Sequence, residues 1–318
     1  MNSHDLLHLF EDSRHRYHLV GTEANGVIIG LSLEGRLFTI LHREVVNRVN
    51  PKAFFEQSTK DRYVNPGGDV LWPAPEGSCL GYQYPTGKWR VPPGIIGACY
   101  RVISSGKNRV LISAEIDLVN NIGIGIPTIF TREIQVEVQR ERLTVKTVEA
   151  IEYIGTLHLD NNRCLLGPWS LCQFDCKDGC EVVLPATSKK SVWDLYGASK
   201  QYRSLENGLY RIKTEGTHRF QVGISATVEW IEYKDPHKKL RVRRYAQPLD
   251  KKFCYFDIAD RPPEEKPRKK GVKYSVYNDA GFFMEIEAAG GAASILRQNM
   301  ISKISVTTVF QKDYPNSH

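Results

Sequence analysis

The sequence has no apolar run long enough to cross a bilayer. Its first 16 residues hold His, Asp, Glu and Arg where a secretory signal would need an apolar stretch. The expected location is therefore the cytoplasm, with no membrane contact. Sustained helical periodicity is scarce. The segment 4–12 reads as one short helix, with Leu6, Leu7, Leu9 and Phe10 turned to a core, and Ser191 to Tyr196 reads as another. No serine sits in a G-x-S-x-G turn, and neither Gly123-Ile124-Gly125 nor Gly290-Gly291 forms a phosphate-binding glycine pattern. No cofactor is expected. No aromatic-basic stretch matches an RNA-binding signature, and no internal repeat is found.

Cysteine is present but unsuited to cross-linking. Seven residues, an odd number with no signal sequence, argue against a disulfide framework. Cys172, Cys176 and Cys180 fall at regular spacing, with Cys164 just upstream. Structural zinc sites use tighter pairs from two separate turns, so these are read as buried thiols and no metal is expected. Cys172 is placed on a strand, with Asp175 to Gly179 as its hairpin turn.

What the chain does have is period-two alternation. Val110, Ile112, Ala114, Ile116 and Leu118 alternate with more polar neighbours, as do Ile134, Val136 and Val138, then Phe220, Val222 and Ile224, and finally Ile304, Val306, Thr308 and Phe310. Half-buried antiparallel strands require this pattern. Turn signals at Glu23 to Gly26, Leu33 to Gly35 and Glu206 to Gly208 punctuate the runs. With 318 residues, 41% of them hydrophobic, the chain predicts one all-β domain over 1–318, a large antiparallel β-sandwich. The formal charge of +7 is a mild basic excess. The one composition shift, 260–273, predicts an exposed basic loop whose lysines are offset by Glu264 and Glu265. Nucleic acid is not the expected partner.

Asn65 to Gly94 concentrates glycine and proline, so it predicts neither a helix nor a central strand. Yet it carries Trp72, Trp89, Tyr82 and Tyr84, with Glu76 and Arg90 close by. Aromatic faces pack against sugar C–H groups, and charged side chains bind the adjacent hydroxyls. Loop-borne Trp72 and Trp89, with Glu76 and Arg90, are thus candidate sugar-binding residues.

The same segment carries a resemblance. Asn65-Pro66-Gly67-Gly68-Asp69 followed by Leu71-Trp72-Pro73-Ala74-Pro75-Glu76-Gly77 resembles the GG-x-x-x-W-x-x-PE-G signature of galactose-mutarotase-like proteins, in particular bacterial relatives of aldose 1-epimerase. Trp169-Ser170-Leu171-Cys172-Gln173 resembles their W-S-x-x-Q strand. Gly208 to Lys213 resembles their G-x-Y-R-x-K segment, and Glu285-Ile286-Glu287 their C-terminal E-x-E strand. The resemblance implies a two-sheet supersandwich binding a sugar or sugar phosphate in a cleft on one sheet. It adds Trp169, Gln173, Arg211 and Lys213 to the binding candidates. It also implies 1-epimerisation, in which a base takes the anomeric proton and an acid protonates the ring oxygen. Glu285 and Glu287, on one strand face, are both candidates for the base. The family's acid is a strand histidine, and the matching strand here, Trp169 to Phe174, has none. His158, just upstream, is the remaining candidate. Two outcomes stay open: an aldose or sugar-phosphate 1-epimerase, and a sugar-binding protein without a catalytic histidine.

Overall fold

The structure, a computed structural model, describes residues 1–59, 62–82, 91–185 and 188–312. Ten strands form the first sheet. In spatial order they are β1 (Tyr17–Gly21), β2 (Asn25–Gly30), β3 (Arg36–Leu41), β5 (Asp69–Ala74), β11 (Gly167–Asp175), β21 (Phe283–Ala289), β20 (Tyr274–Asp279), β16 (Phe220–Ile224) and β13 (Val192–Tyr196), with β4 (Glu44–Val45) paired to β3. Ten more form the second: β14 (Arg203–Glu206), β15 (Leu209–Lys213), β12 (Glu181–Pro185), β17 (Trp230–Asp235), β18 (Leu240–Ala246), β24 (Met300–Lys312), β9 (Arg142–Tyr153), β8 (Gly125–Gln139), β7 (Arg109–Val119) and β6 (Arg101–Gly106). Two short pairs complete the set, β10 (Leu159–Asp160) with β23 (Ile295–Leu296) and β19 (Phe253–Cys254) with β22 (Ala292–Ala293). The ladders that join β5, β11, β21, β20, β16 and β13, and those that join β18, β24, β9 and β8, are all antiparallel.

The second sheet behaves as its alternation predicts. Val110, Ile112, Ala114, Ile116 and Leu118 are buried against the first sheet, while the residues between them face outward. The first sheet departs from the half-buried expectation. Its strands β3, β5, β16 and β21 are buried at every position, so both faces are covered. One face contributes Val27, Ile29, Leu37 and Leu41 to the main core. On the other, Ile28, Phe38 and Ile40 form a second cluster with Leu6, Leu7 and Phe10 of helix α1 (Ser3–Asp12). Asn2 caps that helix, and Asp5 returns the bond to the Asn2 backbone in a capping box. The helix covers only the β2–β3 end. From β5 to β13 the same face carries polar and aromatic side chains among a few aliphatic ones, and the polar and aromatic ones make the candidate site.

Several local expectations are overturned. The glycine- and proline-rich stretch contains a central strand, β5, and Trp72 sits on it. Pro73 is tolerated because β3 meets β5 only at Leu37↔Asp69, so beyond Asp69 that edge of β5 has no ladder to lose. Ser191 to Tyr196 is no helix: a short 3₁₀ turn ends at Ser191 and β13 follows, as its valine and aromatics favour. Asp175 to Gly179 is not a hairpin turn, because β11 belongs to the first sheet and β12 to the second. Cys164, Cys172, Cys176 and Cys180 are buried thiols, Cys180 lying 3.4 Å from the Tyr233 hydroxyl. The basic loop is exposed through its middle but anchored at both ends. Arg261 Nε donates to Asp257 at 2.7 Å, and Lys273 Nζ donates to the Val228 carbonyl at 3.0 Å.

The two sheets are tied by charge as well as by apolar packing. Asp69 on β5 accepts from Arg132 of β8 through one oxygen and from Arg244 of β18 through the other, at 2.5 and 3.2 Å. Arg132 Nε also donates to Glu149 of β9 at 2.8 Å. Arg244 donates to the Ser170 hydroxyl and to the carbonyls of Ser170 and Ile286. Both guanidinium groups are fully buried. Removing one partner of such a cluster leaves buried charge uncompensated. Asp69→Ala is therefore expected to lower the free energy of unfolding by about 3–5 kcal/mol, measured by urea denaturation.

Candidate functional site

Antiparallel register gathers the site. Along one row, Gln173 of β11 faces Glu285 of β21, which faces Tyr277 of β20, which faces Gln221 of β16. Along the neighbouring row, Leu171, Glu287, Ser275 and Gly223 align in the same way. Trp169 of β11 lies opposite Trp72 of β5. Side chains two apart on a strand share a face, so all of these lie on one face of the first sheet, opposite to Asp69 and Ser170.

The two glutamates have unlike surroundings. The Glu287 carboxylate accepts from Trp169 Nε1 at 3.0 Å, from Gln221 Nε2 at 3.1 Å, and from the Ser275 hydroxyl. Glu285 accepts from Gln173 Nε2 at 2.6 Å. Both are buried. Burial, then the adjacent Glu287 charge, pushes the Glu285 carboxyl well above the ordinary range. Burial also raises Glu287, but there the hydrogen bonds from Ser275, Trp169 and Gln221 favour the ion and oppose it. Burial thus pushes both carboxyls toward the neutral form, and pushes Glu285, with fewer donors, further.

A second charged group borders Trp72. Arg36 of β3 donates to Glu34 through Nε and Nη2, at 3.1 and 2.8 Å, and to the Gly67 carbonyl at 2.6 Å. The Tyr63 hydroxyl donates to the same Glu34 oxygen at 2.7 Å. Glu34 sits at φ +57°, a strained conformation for a residue with a side chain. The Arg36 guanidinium lies 5.8 Å from the Trp72 ring centroid, and its charge favours the ionised form of Glu285. Trp72 and Trp169 meet edge to face, 6.2 Å between centroids.

Among the described residues, three buried polar atoms on this face have no hydrogen-bond partner: Trp72 Nε1, Gln173 Oε1 and Gln221 Oε1. Buried polar groups are nearly always satisfied, so each of these needs an explanation. Together they offer one donor and two acceptors, arranged around the glutamate pair.

Of the residues selected from the sequence, Trp72, Trp169, Gln173, Glu285 and Glu287 are brought together. Glu76 is near enough to act electrostatically on Glu285. Trp89 and Arg90 lie outside the described residues. Arg211 and Lys213 do not belong to the group. They lie on β15 of the second sheet, where Tyr210 and Ile212 take the buried positions and turn the cations outward to Glu181 and Glu215. His158 is exposed in the turn before β10 and makes no hydrogen bond or ion pair among the described residues. Sequence reasoning missed Arg36, Glu34, Tyr63, Ser275, Tyr277 and Gln221. Only Gln221 carried a signal, as a polar residue between buried Phe220 and Val222.

The chain belongs to the family of unknown function DUF6786. The match to that family's model runs over residues 7–315. No curated protein matches the sequence. Among solved structures, a galactose mutarotase-like protein from Lactobacillus casei ATCC 334 is similar, with a TM-score of 0.60 at 7% identity, over 93% of this chain and 100% of that one. The Slr1438 protein from Synechocystis sp. PCC 6803 gives 0.57 at 12% identity, covering 94% and 96%. A galactose mutarotase-like protein from Clostridium acetobutylicum gives 0.53 at 12%, again covering 94% and 96%. At such identity the likeness shows the fold alone: a galactose-mutarotase-like β-sandwich. Among the described residues, no helix is long and apolar enough to cross a membrane.

The raised carboxyl makes folding depend on pH. Folded Glu285 holds its proton where an unfolded glutamate, near 4.5, has lost it. Its contribution to stability is therefore full below that value and is lost as pH rises through the folded value. Glu285→Gln keeps the shape and never ionises. At pH 8 it is expected to raise the free energy of unfolding by on the order of 1–3 kcal/mol. The gain shrinks toward pH 4, as urea titrations across that range would record.

Proposed function

We propose that this protein binds a pyranose sugar over the Glu285–Glu287 pair and interconverts its anomers. The observation that carries the reading is a buried carboxyl pair in unlike surroundings, bordered by two indoles and three polar atoms without partners. An apolar ring face suits the indoles, and hydroxyls complement Trp72 Nε1, Gln173 Oε1 and Gln221 Oε1.

The chemistry does not need the missing imidazole. Glu287 is held by three donors and is the less free of the two. Glu285 is the neutral partner. A neutral carboxyl is both donor and acceptor, and a hemiacetal presents its ring oxygen and its hydroxyl on one carbon. Glu285 gives its proton to the ring oxygen through one oxygen and takes the hydroxyl proton through the other. The C1–O5 bond breaks, the aldehyde forms, and the carboxyl remains neutral. Rotation about C1–C2 and reversal of the same transfers close the other anomer. Glu287, kept anionic beside it, holds Glu285 in the protonated state.

The exposed position of His158 supports a second reading, a sugar-binding protein without catalysis. Saturation-transfer NMR against a panel of monosaccharides tests binding, and anomer-exchange spectroscopy on the hits separates the two readings. Exchange no faster than in buffer for every hit rejects the enzyme. If the enzyme reading holds, Glu285→Gln loses the exchange, by roughly 100-fold or more, while still binding. Glu287→Gln removes the neighbouring charge, so Glu285 ionises more easily. The alkaline limb of the exchange rate then shifts to lower pH, which a pH–rate profile measures.

A further inference from the structure

The edge of the site at β13 carries two cations on aromatic supports. Trp193 of β13 faces Gly223. A Cβ at Gly223 would lie 2.8–2.9 Å from the indole, so the ring rests on the glycine where a larger residue would displace it. Lys270 Nζ stands 3.5 Å from that ring's centroid. Further along the strand, the Arg219 guanidinium lies 5.1 Å from the Tyr196 ring centroid and 5.8 Å from that of Tyr277, and Nε donates to the Tyr277 hydroxyl at 3.1 Å.

Both cations are exposed, and neither makes an ion pair among the described residues. Asp279 accepts the Tyr277 hydroxyl, and Glu76 acts on Arg219 only as the weakest of several influences. Partial burial lowers the pKa of Lys270, as expected of an ammonium without a counter-charge. The aromatic contacts fix where the charges stand and leave N–H groups free.

The position relative to the glutamates is set by register. Trp193, Gly223, Ser275 and Glu287 lie in one row, and Tyr196, Gln221, Tyr277 and Glu285 in the next. Three inter-strand steps put β13 about 14 Å from the pair at the backbone. Tyr277, which accepts the Arg219 hydrogen bond, is the direct ladder neighbour of Glu285 and links this edge to the pair.

We infer that this edge is an anion subsite, where Arg219 and Lys270 receive a carboxylate, sulfate or phosphate carried by the sugar. The inference rests on the sugar-binding reading above. It also relocates the role that Arg211 and Lys213 were expected to fill.

Calorimetric titration of glucose, galactose, glucuronate, galacturonate and glucose 6-phosphate tests it. In low salt at least one anionic sugar is expected to bind roughly tenfold more tightly than its neutral parent, with the advantage falling as salt is added. The uronate and phosphate arms identify which anion is preferred. In the Arg219→Gln/Lys270→Gln double variant the advantage should fall to within about twofold, with neutral-sugar affinity unchanged. Both side chains are exposed, and the comparison within the unmodified protein needs no variant. Neutral sugars binding as well as anionic ones overturn this inference and leave the sugar reading standing. An advantage that survives in the double variant also overturns it. Binding of no sugar overturns both.

Discussion

The rest of the structure depends on one shared carboxylate. Asp69 holds Arg132 with one oxygen and Arg244 with the other, in the space between the sheets. Four charges meet there, two guanidiniums and the carboxylates of Asp69 and Glu149, and their sum is zero. Isolated charges at such depth would be very costly, so the cluster specifies how the sheets sit on one another more than it adds net stability. Arg244 extends the specification, since its donors end on Ser170 and Ile286. Those two residues alternate with Trp169 and Leu171 on β11, and with Glu285 and Glu287 on β21. A strand pinned from below at Ile286 has little freedom to slip, because a one-residue shift would exchange its faces. The same bonds that join the sheets therefore fix the direction of both site carboxylates.

The division of faces follows from what covers them. Helix α1 supplies Leu6, Leu7 and Phe10 to one end of the first sheet, and there the outward residues are Ile28, Phe38 and Ile40. Past β3 the helix is gone, and the outward residues become Trp72, Trp169, Gln173, Glu285, Ser275 and Gln221. Gln173 and Glu287 are fully buried by the chain's own atoms, so the polar end of this face is covered as well, and its polar groups answer mainly to one another.

The fold was legible because strand alternation is local. A reader of Val110 to Leu118 needs no other part of the chain to place it, and the E-x-E spacing of Glu285 and Glu287 was enough to put both on one face. Trp72 was found from its aromatic-rich segment, and Trp169 and Gln173 through the resemblance. The resemblance was less reliable where only spacing supported it: Arg211 and Lys213 share a face as expected, but of the other sheet, and no local pattern states which sheet a strand joins. Arg36, Ser275 and Tyr277 were missed for the same reason, since register across strands distant in sequence creates their role. The β5 strand was misread because proline and glycine rules assume two ladder neighbours, whereas β5 has a full partner on one side only. Trp193 and Tyr196 were hidden inside a segment whose short apolar spacing suits a helix and a strand equally.

In the proposed reaction, an asymmetry between two identical side chains takes the place of the histidine that a related chemistry would lead one to seek. Acid–base work at one carbon needs a proton at one oxygen and a vacancy for a proton at the other. Separate residues can meet that need with two different pKa values. A carboxyl pair can also meet it, provided its members are not equivalent, and equivalence is broken here by hydrogen-bond count. Three donors converge on Glu287 and one on Glu285, so the ionised form is better supported at Glu287. Ser275 and Gln221 are therefore more than packing around a buried acid. In the proposed reaction they bias which of the two glutamates keeps its proton, and so which one offers it.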